Sequence, residues 1–518
     1  MRIKDSCRHL GSAPFASKTI RHKRIERVNA MIANLVQLYA ESDALELARL
    51  VAERQVSVKE LVETAIHLIE AFDAALNAVV IRVFEQARED AKAKVEGGVF
   101  SGVPFLLKNI GSQWEGTPLT ASLPNMRDFV CNRDSMLSRR IRSAGFVLLG
   151  RTNVPENGWS LGTEPSMYGP TRNPWDLATT PGGSSGGASA AVAAGFVPVA
   201  EGSDGGGSIR VPASCCGLVG LKPSRGRTTN APQIVDRWFG GAYTHCLTKS
   251  VRDTASFLDV VAGDAVGDIY FPGRPERSWL SELQRALKPL RIGFMIDSLW
   301  GRPTHPRVAE VTTNVLNYLS GCGHHVEQVR LSLDFEQLWS DYNDIVAVET
   351  VTGYHRTERT TGIKFRVEDL APFNQAQYRH AVTLDAVDYS ERITSLRETS
   401  RELCVALAAF DILVTPTLTQ LPRPLDYWSL KEADYRAYLD RWTDAAFMFP
   451  FNISGLPAVS IPGPTARDEI PIGVQLVGRY GDEAAILQLA AQLEADLPWK
   501  SRRPSFGIFE RAYEPVVS

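Results

Sequence analysis

Apolar residues recur at helical spacing through residues 31–98, with Ala44, Leu45, Leu47, Ala48 and Val51 in one stretch and Leu61, Ile66 and Ile69 in the next. Ser57 followed by Glu60 is a capping-box pattern and marks where the second of these helices starts. The pattern then changes. Val103–Leu107 and Phe146–Leu149 are short apolar runs in glycine-bounded segments, predicted as buried strands, with helical stretches between and after them. Residues 165–230 follow neither period. Pro165–Pro181 is rich in turn formers, Gly182–Gly187 reads GGSSGG, the small residues Ala188–Gly195 predict a tightly packed helix, and Gly202–Arg210 reads GSDGGGSIR. Beyond them, 250–262 and 281–320 are predicted helical, with strand-like Leu290–Met295 between, and 330–410 is mostly helical and more polar. Ile412–Val414, Ala458–Ile461 and Ile472–Val477 read as strands and Glu483–Leu493 as a closing helix. Helices alternating with short apolar strands define the α/β class.

Composition narrows the function. The chain has 518 residues, 44 % hydrophobic and 22 % charged, which is ordinary for a folded protein and excludes disorder as the default. Its 56 basic residues against 59 acidic ones leave a net charge of −3, so no broadly basic nucleic-acid surface is expected. The most membrane-like stretch, Ala190–Ala200, falls short of the ~20 residues a spanning helix needs. Seven cysteines without a CxxC pair predict neither a disulfide scaffold nor a zinc cluster, and suit a reducing, cytoplasmic setting. The first 30 residues are basic but lack the apolar core of a secretory signal. Residues 1–40 are therefore expected to form a loosely ordered extension, and length alone gives a prior of about three domains.

The serine- and glycine-rich segments carry the candidate chemistry. GGSSGG alone can be a flexible loop. As a phosphate cradle it lacks the following Lys-Ser or Lys-Thr. As a nucleophile elbow it is satisfied by Ser184 and by Ser185, but none of His245, His305, His324, His325, His355 and His380 sits in a site-like context. In GSDGGGSIR, Gly205, Gly206 and Gly207 precede Ser208, leaving backbone N–H groups uncovered by side chains. Such a nest suits an anion, including the oxyanion of an acyl-transfer intermediate, and equally a plain glycine turn. A serine nucleophile needs a base, and a desolvated neutral lysine can serve as one. Lys108 ends the apolar run Gly102–Leu107, where a solvent-reaching lysine at a strand end is the simpler reading.

Taken together, these pieces resemble the amidase signature family of serine hydrolases. GVPFLLKN (Gly102–Asn109), GPTRNPWD (Gly169–Asp176) with PGGSSGG, GSDGGGSIRVPASCCGLVGLKPSRGR (Gly202–Arg227), FNISGLPAVSIP (Phe451–Pro462) and PIGVQLVGRYGDE (Pro471–Glu483) carry the likeness, which spans about Leu45 to Leu497. The resemblance implies a twisted mixed β-sheet core covered by helices on both faces, as a single domain over 41–510, which overrides the length-based prior of about three domains. The signature core lies at about 100–230 and a variable substrate side at about 230–450. It implies a Ser–cis-Ser–Lys triad in which Ser208 is the nucleophile, Ser184, after a cis peptide bond from Gly183, relays the proton, and Lys108 is the final base. It further implies an oxyanion hole from the N–H groups of Gly205, Gly206, Gly207 and Ser208. Ser185, Asp204 and Arg210 would brace the loops. No metal or organic cofactor is implied. Where many members carry threonines on both sides of the aspartate, this chain has Ser203 and Gly205.

The expected activity is hydrolysis of a carboxamide through a serine acyl-enzyme. Scaffold segments around Ala78–Arg88, Arg142–Glu156 and Leu497–Pro504 resemble a subgroup that opens cyclic amides. Trp238, Phe239, Tyr243, Trp339, Tyr342, Tyr354 and Trp428 would suit an apolar amide, although each alone is more often core than pocket. The expected partner is a small-molecule amide, without nucleic acid or membrane, and a homodimer is compatible with the resemblance. Two alternatives stand beside this: the glutaminase-type subunit of a tRNA-dependent amidotransferase, which shares the signature, and a non-catalytic binding protein on the same scaffold.

Overall fold

In the computed structural model the described residues are 35–93, 97–300, 302–497, 499 and 501–506. Eleven strands form one mixed sheet: β1 (Val79–Arg82), β2 (Pro104–Lys108), β3 (Val147–Thr152), β4 (Val199–Asp204), β5 (Val219–Lys222), β6 (Tyr243–Thr248), β7 (Arg291–Phe294), β8 (His325–Gln328), β9 (Ile412–Pro416), β10 (Ala458–Pro462) and β11 (Gly473–Gly478). Their order is β1-β3-β2-β4-β6-β5-β10-β11-β9-β7-β8. Strand β2 runs parallel to both β3 and β4, and β7 parallel to both β8 and β9. The strands joining these two blocks, β4 to β6 to β5 to β10 to β11 to β9, pair antiparallel.

The two-residue period of the strands explains why helices are needed on both faces. Ile412, Val414, Val459, Ile461, Val474 and Leu476 enter one apolar cluster with the Val251–Val261, Pro306–Gly321 and Glu483–Asp496 helices. Their neighbours Leu413, Ala458 and Val477 enter the other cluster, with the Phe335–Thr361 and Ala386–Leu407 helices. The Val58–Leu76 helix starts at the expected capping box: Ser57 Oγ accepts from Glu60 N at 3.2 Å, and Glu60 Oε2 accepts from Ser57 N at 2.8 Å. Where helix was expected across 31–98, Asn77 takes a left-handed conformation that ends it, and β1 follows.

Strands β4, β5, β6 and β8 went unread. Three are too short or too polar to stand out, and β4 hides within a glycine-rich segment whose side chains carry no period. Of the expected N-terminal extension, residues 1–34 lie outside the described residues. Residues 35–40 are helical and packed, with Tyr39 buried and its hydroxyl donating to Phe196 O at 2.9 Å, so the folded part begins before residue 41. Among the described residues no helix is long and apolar enough to cross a membrane.

Candidate active site

Lys108 is the last residue of β2, a strand buried along its whole length between β3 and β4. That position forces its amine inward. Nζ lies 2.8 Å from Ser184 Oγ, 3.0 Å from Ser203 Oγ and 3.3 Å from Ser203 O. Burial drives the amine's pKa down to about 7, the charge of Arg237 adds to that, and the carboxylates of Glu201 and Asp204 oppose it. A neutral amine has one lone pair, which a serine hydroxyl can fill as donor and a carbonyl cannot.

Ser184 follows a cis peptide bond from Gly183. The glycine is required by its surroundings: a Cβ at 183 would sit 2.5 Å from Gly162 O and 2.7 Å from Ser160 O. Thr163 Oγ1 donates to Gly182 O at 2.9 Å and holds the preceding turn. Ser185 Oγ accepts from Ser203 N at 3.3 Å and lies 3.4 Å from Ser203 O, tying this loop to the end of β4.

From the end of β4 the chain runs through Gly205, Gly206 and Gly207 to Ser208 and the Arg210–Cys216 helix. Gly207 has φ +115°, a conformation other residues resist. Asp204 organises this turn. Its carboxylate accepts from Gly207 N at 2.7 Å, Ile209 N at 3.2 Å, Asn452 Nδ2 at 2.9 Å and Arg210 Nε and Nη2 at 2.9 Å each. Asp204 and Arg210 are fully buried. Burial alone would raise the acid's pKa, but the charge and hydrogen bonds of Arg210, with Asn452, hold it well below the usual carboxylate range. Arg210 Nη1 also donates to Gln475 Oε1 at 2.8 Å and Met448 O at 3.2 Å. This geometry amends the expected oxyanion hole. The Gly207 N–H is taken by Asp204, which leaves the N–H groups of Gly205, Gly206 and Ser208 as its candidate donors.

An aromatic wall stands over the nest. A Cβ on Gly205 would collide with the Trp238 indole, and one on Gly206 would lie 3.3 Å from the Tyr342 hydroxyl and 3.4 Å from the Trp442 ring. The Tyr342 hydroxyl donates to Gly205 O. Trp238 packs on Trp159 at 6.1 Å between ring centroids, and Trp339 on Trp442 at 5.7 Å. The glycine at 205 is therefore what lets Trp238 lie on the loop. Of the other aromatic candidates, Tyr354 lines a neighbouring cavity of about 250 Å³. Tyr243 donates to Asn452 O at 2.7 Å, and Phe239 and Trp428 are core.

Several groups at the site were given no role by the sequence, although Ser203, Asn452 and Gln475 lie within the quoted motifs. The Ser203 hydroxyl contacts the lysine at 3.0 Å. Glu201, fully buried, accepts from Lys108 N at 3.0 Å and from the Ser112 hydroxyl, and burial pushes its pKa up to about 7. Asn452 and Gln475 arrive from more than 240 residues away in sequence. Among the described residues the histidines take no part. His245 is sealed against Phe257, with burial driving its pKa down to about 3, and His380 pairs with Asp344 at 2.7 Å. Among the described residues no histidine bonds to Ser184 or Ser208, so the nucleophile-elbow reading has no base.

A buried serine–lysine pair, a second serine beside a backbone nest, and an apolar wall above them, all on a mixed α/β sheet, are the parts of an amide-cleaving serine hydrolase that works without histidine. The comparisons agree. The Amidase family model matches residues 60–487. The 6-aminohexanoate-cyclic-dimer hydrolase of Paenarthrobacter ureafaciens is 36 % identical over 475 residues, covering 89 % of this chain and 96 % of that protein. The structure of a 6-aminohexanoate cyclic dimer hydrolase superposes with a TM-score of 0.84 at 35 % identity, over 90 % of this chain and 99 % of that one. A bacterial aryl acylamidase of the amidase signature enzymes gives 0.81 at 27 % identity, over 92 % and 99 %. The chain belongs to the Amidase family, and it is an amide hydrolase acting on a C–N bond.

Proposed function

We propose that this enzyme cleaves its amide through an acyl-enzyme on Ser208. The observation that carries the reading is the Lys108–Ser184 contact of 2.8 Å, made by an amine whose pKa of about 7 leaves it largely neutral above that pH. Ser208 Oγ attacks the amide carbon as its proton passes to Ser184 and the proton of Ser184 to Lys108. The oxyanion rests on the N–H groups of Gly205, Gly206 and Ser208. The lysine then returns a proton through Ser184 to the nitrogen as the C–N bond breaks and the amine leaves. Water repeats the attack on the ester, and Ser208 recovers its proton.

The aromatic wall and the similarity to 6-aminohexanoate-cyclic-dimer hydrolase support an aliphatic amide as substrate, with the cyclic dimer of 6-aminohexanoate the first compound to test. Purified enzyme given the cyclic dimer, linear aliphatic amides, aryl amides, carbamates and glutamine, followed by mass spectrometry, is expected to consume the cyclic dimer. Ser208→Ala is expected to leave it intact. Turnover of aryl amides alone would keep the chemistry and discard that substrate; undiminished turnover by Ser208→Ala would overturn the nucleophile.

A further inference from the structure

The cavity of about 250 Å³ beside the site has an unusual lining. Its lining combines apolar side chains, Ile110, Leu123, Met126 and Phe129 among them, with Arg133, Arg237 and Arg356. Trp238 lines it too, and the same indole lies on Gly205 of the nest, so cavity and nest share one wall. Gly111, three residues after Lys108, faces the Arg237 guanidinium across 3.8 Å from where a Cβ would stand. Asn157, also in the lining, precedes Gly158, whose Cβ position is 3.5 Å from Ser184 Oγ.

Arg237 and Arg356 are half-buried; Arg237 lies over the Trp238 ring at 5.7 Å, and among the described residues neither guanidinium meets a carboxylate or other hydrogen-bond acceptor. The two acids in the lining bond to tyrosines and not to these arginines: Asp236 accepts from Tyr270 at 3.2 Å, its other oxygen having no partner, and Glu349 accepts from Tyr389 at 2.6 Å. Half-buried arginines are ordinarily paired, because taking a cation partly out of water is costly. Here burial, with Arg356 beside it, lowers the pKa of Arg237, and the charge of Arg237 is also felt at Lys108. A guanidinium presents a planar fork that fits a carboxylate with two parallel hydrogen bonds.

We infer that this cavity receives a carboxylate on the non-reacting end of the substrate, bound by Arg237 and Arg356, so that the enzyme accepts linear amides whose far end is an aliphatic acid. The inference rests on the amidase reading of the adjoining nest and adds the chemical class of what extends from it. A lining that joins apolar side chains to unpaired arginines suits an aliphatic spacer closed by an anion, a feature the ring-closed dimer lacks and linear 6-aminohexanoate amides possess.

The test compares N-acyl-6-aminohexanoic acid with its methyl ester. Wild-type enzyme is expected to favour the acid in kcat/KM by about tenfold or more, the scale of one charge-assisted hydrogen-bond pair. That ratio is expected to collapse toward one in Arg237→Gln, to fall in Arg356→Gln, to recover in part in Arg237→Lys, and to shrink as salt is raised. A wild-type ratio at or below one, or an undiminished ratio in both glutamine variants, overturns the inference. Calorimetric titration with hexanoate and with hexanamide reads the same site without catalysis. Hexanoate is expected to bind wild type, more weakly to Arg237→Gln, and hexanamide weakly to both; equal binding of the two by wild type sinks the carboxylate assignment. Failure of the amidase reading would look different, as the absence of any Ser208-dependent amide turnover.

Discussion

At the level of single residues, Lys108 carries the most consequence. Its amine has an ordinary pKa of 10.5 and is driven down to about 7 by burial, so the protein holds at neutral pH a base that water would keep protonated. The rate of amide hydrolysis, as kcat/KM, is expected to rise with pH along a limb centred near 7 and to level off above it. Lys108→Met is expected to remove that limb together with most of the activity while circular dichroism stays unchanged; an unfolded variant would mark the lysine as structural instead. Ser208→Ala is expected to lower kcat by about 10⁴-fold or more, the scale seen when a nucleophile is deleted from a catalytic unit. Active-site titration with a serine-directed phosphonate reads the same residue directly: one equivalent is expected on wild type and none on Ser208→Ala.

At the level of elements, the turn between β4 and the Arg210–Cys216 helix depends on two supports. The first is the buried Asp204–Arg210 pair. Asp204→Asn leaves Arg210 without its counter-charge in the interior, and the expected loss is about 3–5 kcal/mol in the denaturant midpoint analysis. The second is the contact between Gly205 and Trp238. Gly205→Thr places a side chain inside the space of the indole, with an expected cost of about 1–3 kcal/mol for overpacking. The Gly205→Thr, Trp238→Ala double variant is expected to be more stable than the sum of its single changes predicts. Strict additivity would mean that the two residues do not compete for that space.

At the level of the whole molecule, the interior holds titratable groups of both kinds with pKa values near neutrality. Lys108 and Lys249 are lowered to about 7 by burial, and Glu201 and Asp253 are raised to about 7, again chiefly by burial. The two kinds work in opposite pH windows. Between about 7 and 10.5 the unfolded chain binds more protons at the lysines than the folded one, so their contribution to stability rises with pH. Between about 4.5 and 7 the folded chain binds more at Glu201, so that contribution falls as pH rises. Their joint contribution is least favourable near pH 7. The melting temperature is expected to climb from pH 7 to 9, and to climb less in Lys108→Met, where one of the buried amines, which include Lys222, is gone; a fall over that interval in wild type would contradict the assignment.

Much of this protein was legible in the chain because its key parts are local. The strand ending in Lys108, the GGSSGG turn and the run of three glycines before Ser208 are contiguous strings, and glycine marks them because a backbone that bends sharply or is closely approached excludes a Cβ. The capping box at Ser57 and Glu60 is legible for the same reason, since both of its hydrogen bonds close within one turn. What only the tertiary structure decided depends on groups distant in sequence. Lys108 reaches Ser184 across 76 residues and Arg210 reaches Gln475 across 265, contacts that no spacing rule encodes. That Gly207 gives its N–H to Asp204, that Trp238 is wall rather than core, and that Arg237 and Arg356 line a cavity without a carboxylate partner all follow from packing. The lysine's pKa belongs there as well: the sequence could mark it as a candidate base, but a pKa near 7 comes from removing water, and that exclusion is a property of the closed fold.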